Sequence, residues 1–272
     1  MTKAQATTIH LTAVVSDKAR IGEGVSIGPF CTVDEGVTLG AGCELVSHVS
    51  ITGRTTVGEH NTFSPFSSIG GVPQDLKFHD EPSEVIIGDN NTFREYVTVH
   101  RGTEGGGMLT KIGDNNLFQT YTHVAHDCQI GNGIVLACSA ILAGHVAVHD
   151  GAIVGAMSAV HQFCRIGKNV MLGATCTVLK DMPPFTIAGG GYHMSLSGLN
   201  TVGLKRKGLS NDDIRALKTA YKTIFMGSGL LKERLTEVEG LALNNAYVDE
   251  LVAFVRSSER GVMMHSKKEK DV

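Results

Sequence analysis

His126, His145 and His161 follow the aliphatic residues Val124, Leu142 and Val160 by two, three and one positions, and those three aliphatics stand eighteen residues apart. An imidazole changes charge close to neutral pH, so it is the natural side chain to take a proton from a hydroxyl or an amine. Asp127 follows His126 directly and could orient it, although neighbours on a strand point to opposite faces unless the chain bends between them. Two chemistries suit such a set. In one, a histidine deprotonates a nucleophile that attacks a thioester, and a backbone N–H near Gly144 receives the developing oxyanion. In the other, three histidines hold zinc and activate water. Zinc needs its ligands gathered round one point, and the unequal offsets of the histidines count against it.

Eighteen is a meaningful distance because of the pattern that carries these histidines. An apolar residue recurs every six positions from Ile9 through Val15, Ile21 and Ile27 to Ile69, resumes at Ile87, Phe93 and Val99, and runs again from Ile112 to Val178. Neither an amphipathic helix nor an alternating strand has that period. A parallel β-helix of hexapeptide repeats does. Each hexad supplies one short strand and one corner of a triangular prism, with the aliphatic residue inward and a small residue four places on. Three hexads close a coil of eighteen residues, so twenty-six inward positions predict between eight and nine coils. His126, His145 and His161 are then expected along one side or edge of successive coils about 4.8 Å apart, with His123 near the adjoining corner. Each coil buries its inner face only against its neighbours.

Composition agrees with this scaffold: 33 Gly and no Trp suit tight, repeated corners. Five of the 6 Cys (Cys31, Cys43, Cys128, Cys164 and Cys176) fall where the repeat wants a small residue, and only Cys138 departs. They read as reduced packing residues, because no pair has zinc-ligand spacing. A net charge of −3 argues against general nucleic-acid binding. Neither a secretory leader nor a membrane-spanning run is evident, so a cytoplasmic protein is expected.

Two excursions break the rhythm, near 70–86 and 100–111; the second contains Gly105, Gly106 and Gly107. Loops held on a rigid scaffold are where function concentrates. Pro183 and Pro184 are expected to end the repeat, dividing the chain into a prism over 1–190 and a helical region over 191–272. Ser210 and Asp213 form a capping-box pattern that opens a helix through about Phe225; further helices are expected over 230–241 and 246–257. Lys267–Val272 reads as a solvated, frayed tail.

The stretches QDLKF (74–78), HRGT (100–103), HVAHDC (123–128), LAGHV (142–146), AVHQFC (159–164) and GLKRKG (203–208) resemble the UDP-N-acetylglucosamine O-acyltransferase family of lipid A biosynthesis. The resemblance spans nearly the whole chain. It implies a mainly β fold, a left-handed parallel β-helix with a C-terminal α-helical domain, assembled as a homotrimer with active sites between subunits. It also implies transfer of an (R)-3-hydroxyacyl group from the phosphopantetheine thioester of acyl carrier protein to the glucosamine 3-hydroxyl of UDP-N-acetylglucosamine, with no bound cofactor or metal. By resemblance, His126 is the general base, Asp127 its supporting carboxylate and Gly144 the oxyanion donor. Asp75, Lys77, His123, His145, His161, Gln162, Asn200 and Arg206 match substrate-contacting positions, and Ala174 matches the acyl-chain ruler. Val202 and Lys207 depart from the family pattern; lysine keeps charge but loses the bidentate fork of arginine. The competing readings are a zinc enzyme resembling hexapeptide-repeat carbonic anhydrases and a structural β-helix subunit with incidental histidines.

Overall fold

A computed structural model describes residues 6–265; the expected tail at Lys267–Val272 lies outside them. Each inward residue of the repeat sits in a strand, usually as the second of two residues, beginning with Thr8–Ile9, Val14–Val15 and Arg20–Ile21 and ending with Thr177–Val178. Successive strands go to three different faces, so every third strand pairs in parallel: Ile9 with Ile27, Val15 with Val33 and Ile21 with Leu39. The three sheets hold 11, 9 and 8 strands. We call them the first, second and third faces in the order the chain visits them.

The inward residues make a continuous core. Phe63, Phe93 and Phe118 stack on one another with ring centroids 4.8 and 4.7 Å apart, each 0 % exposed. Buried Asn61, Asn91 and Asn116 form a second internal ladder, in which the Asn61 carbonyl accepts from the Asn91 backbone and amide, and the Asn91 carbonyl accepts from the Asn116 N–H. That ladder satisfies backbone groups that a buried corner would otherwise orphan. The cysteines behave as packing residues: all six are free, five are buried, and burial pushes the Cys128 thiol up to about 12.

Both excursions are insertions into otherwise regular coils. Ile87 pairs with Val57, thirty residues earlier instead of eighteen, and Ile112 pairs with Ile87, twenty-five residues on. The loops that hold the extra residues leave the prism after the strands Ser68–Gly71 and Thr98–His100, both on the second face.

The prolines do not end the winding. Met182 still bridges to Ile166, and the strand Thr186–Gly189 pairs in parallel with Met171–Leu172. Room for Pro184 comes from Gly167, where a Cβ would lie 2.4 Å from the proline nitrogen. The chain then turns back as Ser195–Leu199, antiparallel to Thr186–Gly189.

Four α-helices follow: α1 (Thr201–Arg206), α2 (Asn211–Tyr221), α3 (Leu231–Gly240) and α4 (Ala246–Arg256). The Ser210/Asp213 capping box opens α2, which runs through a π-turn to Met226. α1 lies in what the sequence presents as a polar passage; it is too short for its pattern to register and depends on the Asn200 cap. Arg165 ties the helices to the prism. Its guanidinium stacks on Phe254 at 4.4 Å, donates to the buried Asp181 carboxylate at 2.8 Å and reaches the Phe254 carbonyl at 3.2 Å.

Replacing Phe93 by Ala removes the middle ring of the internal stack. The expected cost is about 3–5 kcal/mol of stability, read by denaturant unfolding, and a loss below about 1 kcal/mol would contradict the packing described.

Candidate active site

The corner between the second and third faces carries the chemistry. The ladder pairs Val124 with Leu142 and Leu142 with Val160, so the residues that follow also stack coil on coil. His126, Gly144 and Gln162 fall into one column; Asp127, His145 and Phe163 form the next; Ala125, Ala143 and His161 form the one before. His126, His145 and His161 thus all stand at this one edge of the prism, and their offsets put them in three adjacent columns. His126 and His145 nevertheless meet, ring centroids 5.1 Å apart and perpendicular, since the corner folds their columns together. His145 stacks on Phe163 at 4.4 Å. His161 is exposed, and Arg260 lies 3.1 Å from its Nδ1.

Asp127 meets its own neighbour because its backbone is left-handed, with φ of 59°. In an extended strand the two side chains would diverge; here Nδ1 of His126 lies 2.8 Å from Oδ2 of Asp127. Both residues are buried, at 6 % and 4 % exposure. The carboxylate also accepts the Thr103 N–H at 2.9 Å and the Thr103 hydroxyl at 2.6 Å, while the Asp127 N–H donates to Thr110 Oγ1 at 2.8 Å. A carboxylate only accepts, so in the neutral ring Nδ1 of His126 carries the proton and Nε2 keeps its lone pair.

Gly144 lies against that nitrogen. A Cβ on it would stand 2.6 Å from Nε2 and 2.4 Å from Cε1 of His126, so no side chain fits there. The N–H groups of Ala143 and His145 are spent on the carbonyls of Val160 and His126. Among the described residues the Gly144 N–H forms no hydrogen bond, which leaves a free backbone donor on the residue that packs against the imidazole.

The donor atoms of His126, Asp127 and His145 also lie within 4.8 Å of one another, close enough to be weighed as a metal site. Oδ2 of Asp127 already receives the Thr103 hydroxyl and His126 Nδ1. With both lone pairs directed at those donors, it has little to offer a cation.

The comparisons with known proteins bear on this arrangement. Residues 181–263 match the family model described as UDP-N-acetylglucosamine O-acyltransferase, domain 2, and residues 18–53 match that of the bacterial transferase hexapeptide. An acyl-[acyl-carrier-protein]--UDP-N-acetylglucosamine O-acyltransferase of Thermodesulfovibrio yellowstonii is 46% identical over 254 residues, 93% of this chain and 98% of that one. The chain belongs to the UDP-N-acetylglucosamine O-acyltransferase family. It is an acyltransferase. Among solved members, the Bacteroides fragilis enzyme is 40% identical with a TM-score of 0.91, covering 94% of this chain and 100% of its own. That of Francisella novicida is 35% identical with a TM-score of 0.91, covering 96% and 95%. A coil of the opposite hand could not superpose so closely, so this prism winds as theirs do.

The other residues expected from the family pattern are dispersed. Asp75 sits on the first excursion, where its Oδ1 accepts the Lys77 N–H at 3.0 Å, and its charge is felt at His145. Lys77 is exposed. His123 opens the strand His123–Val124 on the second face, next to the corner before it, with Nδ1 2.7 Å from Thr98 Oγ1 and its ring 4.8 Å edge-on to His100. Ala174 is exposed at the corner after Met171–Leu172. Asn200 caps α1 through the Gly203 N–H and donates to the Asn169 carbonyl at 3.0 Å. It therefore lies at the corner between the third and first faces, a different corner from the dyad. Arg206 is exposed in the last turn of α1, and the Lys207 ammonium lies beside Gly151 at that same third corner.

Burial lowers the pKa of His123, with the charge of His126 adding to it. Burial also dominates at His145, where Asp127 and Asp75 pull upward and His126 downward, for a net lowering. Thr103, Gly106, His100 and Arg260 are parts of this neighbourhood that residue-type reasoning passed over. Thr103 and His100 stood in the sequence as the ends of the HRGT motif with no role attached, and Arg260 is brought in from ninety-nine residues away by the docking of α4.

Two outcomes are expected. Gly144→Ala should leave the β-sheet circular dichroism intact and displace the His126 ring, read as loss of its Nδ1–H proton resonance. His100, lowered to about 4 by burial and then by the charges of His123 and His126, should titrate near that pH by NMR. Its folded value lies below the unfolded value near 6.5, so its contribution to stability is present above pH 6.5 and is lost as the pH falls through about 4. A midpoint close to 6.5 would contradict its burial.

Proposed function

We propose that the protein transfers an (R)-3-hydroxyacyl group from acyl carrier protein to the 3-hydroxyl of UDP-N-acetylglucosamine, the first step of lipid A biosynthesis, in the cytoplasm. The observation that carries the mechanism is the His126–Asp127 pair, with the imidazole packed against the bare Cα of Gly144, a residue whose N–H forms no hydrogen bond among the described residues. His126 Nε2 takes the proton of the sugar hydroxyl as its oxygen attacks the thioester carbonyl. The carbonyl oxygen becomes an oxyanion and accepts the Gly144 N–H. Collapse of the tetrahedral intermediate re-forms the carbonyl and breaks the carbon–sulfur bond. The imidazolium returns its proton to the departing pantetheine sulfur, giving an ester and a free thiol. Asp127 holds the ring in the required tautomer and offsets its transient charge. No bound cofactor or metal is needed, since the donor arrives on its carrier.

Asp75, Lys77, His123, His145, His161 and Gln162 are assigned to substrate contacts on or near the second face. Support comes from the columns of His145, His161 and Gln162, which share the corner of the dyad, and from the electrostatic link between Asp75 and His145. Ala174, between two and three coils beyond His126, roughly 13 Å along the axis, is assigned to the far end of the acyl chain. Asn200 and Arg206 stand at another corner of the same prism and reach a shared substrate only if a second copy supplies them. That separation supports a homotrimer with sites between subunits. The exposed run Lys205, Arg206 and Lys207 suits an acidic carrier protein or the nucleotide phosphates.

His126→Ala is expected to abolish product, at least about 100-fold, while light scattering still reports a trimer. Near-parental turnover with acyl carrier protein and UDP-N-acetylglucosamine, followed by mass spectrometry, would end this mechanism. Arg206→Ala is expected to be weak by itself. Trimers reassembled from a mixture of the His126→Ala and Arg206→Ala chains should regain activity that neither has alone.

A further inference from the structure

We propose that Thr103 is a positioning residue for proton transfer, acting on His126 through Asp127; this rests on the dyad reading above. One residue supplies donors to both carboxylate oxygens: its N–H to Oδ1 at 2.9 Å and its hydroxyl to Oδ2 at 2.6 Å. Two donors from one rigid backbone site fix the plane of the carboxylate against rotation about its Cβ–Cγ bond. Oδ2 is thereby aimed at Nδ1 of His126, 2.8 Å away. Without the hydroxyl, Oδ2 keeps only the imidazole, and the group is free to pivot about the remaining Oδ1 contact.

The glycine-rich excursion exists in a form that delivers this residue. Thr103 ends the extended segment and opens a single 3₁₀ turn over Glu104–Gly106, its carbonyl accepting from the N–H groups of Gly106 and Met108. A Cβ on Gly106 would stand 1.9 Å from Cγ of Asp127, and one on Gly102 2.8 Å from Oδ1. The bare backbone therefore lies directly on the carboxylate, excluding water, and Thr103 is itself 5 % exposed. The first excursion braces the turn from outside, through Glu81 accepting the Glu104 N–H at 3.1 Å and Asp80 pairing with Arg101 at 3.3 Å. A buried charge with vacant lone pairs would be costly. The Thr103 donors remove that cost and orient the charge in the same act.

The test is a double-mutant cycle on steady-state acyl transfer, with thermal unfolding as a check that each variant folds. Thr103→Val keeps shape and the backbone donor but loses the hydroxyl; kcat should fall about 10- to 100-fold with KM for the sugar nucleotide within about twofold. Thr103→Ser restores the hydroxyl and should return kcat to within about threefold of the parent. In the Asp127→Asn background, Thr103→Val should cost nothing further, because its effect travels only through the carboxylate. Parental kcat in Thr103→Val, or an equal loss in the Asp127→Asn background, overturns the proposal. Parental turnover in Asp127→Asn would instead overturn the dyad reading on which it rests.

Discussion

Everything in this molecule depends on coils stacking at a fixed register, each inward residue directly over its counterpart in the coil before, eighteen positions earlier except where an excursion lengthens the coil. Parallel ladder hydrogen bonds set the spacing, and the inward aliphatics make any slip expensive, because a one-residue shift would turn them outward. A register so strongly specified gives every outward position defined neighbours above and below. His126 thus lies under Gly144, whose missing side chain leaves room for the imidazole. Asp127 lies under His145, and His145 under Phe163. The site is a local consequence of stacking, built from residues that are far apart along the chain only by whole coils.

On this regular lattice a catalytic pair needs two departures from the extended strand. One is the left-handed backbone at Asp127, which lets adjacent side chains face each other. Such a conformation is disfavoured for a side chain bearing a Cβ, but this prism uses it at many corners, including Tyr121, His145 and Phe163. The second is the glycine-rich excursion, which covers the Asp127 carboxylate and supplies its hydrogen bonds. Burial sharpens the electrostatic effect of that charge on His126, and full hydrogen bonding makes the burial tolerable.

The three corners have diverged in what they carry. Phe30, His48, Phe66, Tyr96 and Tyr121 stack as a partly exposed aromatic ladder along the first. The second carries the dyad. The third bears Gly151 and Asn169, against which Lys207 and Asn200 rest. The C-terminal helices reach back toward the second face as well, through Arg260 at His161, so the helical region contributes to two corners of the same prism.

The six-residue period by itself determined the inward residues from Ile9 to Val178, the two insertions and the packing role of five of the cysteines, because a strict repeat is a local property repeated many times. The capping box of α2 was equally legible, being written within four residues. What the tertiary structure alone decided was which outward residues meet. The offsets of His126, His145 and His161 already separate them into three columns, but which columns meet depends on how the corner bends: His126 meets His145, while His161 meets Arg260. The continuation past Pro183 and Pro184 depends on space opposite Gly167. The hold of Thr103 on Asp127 depends on how an irregular loop refolds onto the prism. Periodicity encodes where a residue sits in a coil, but contacts made by insertions and by a distant helical segment have no period, and only packing in three dimensions selects them.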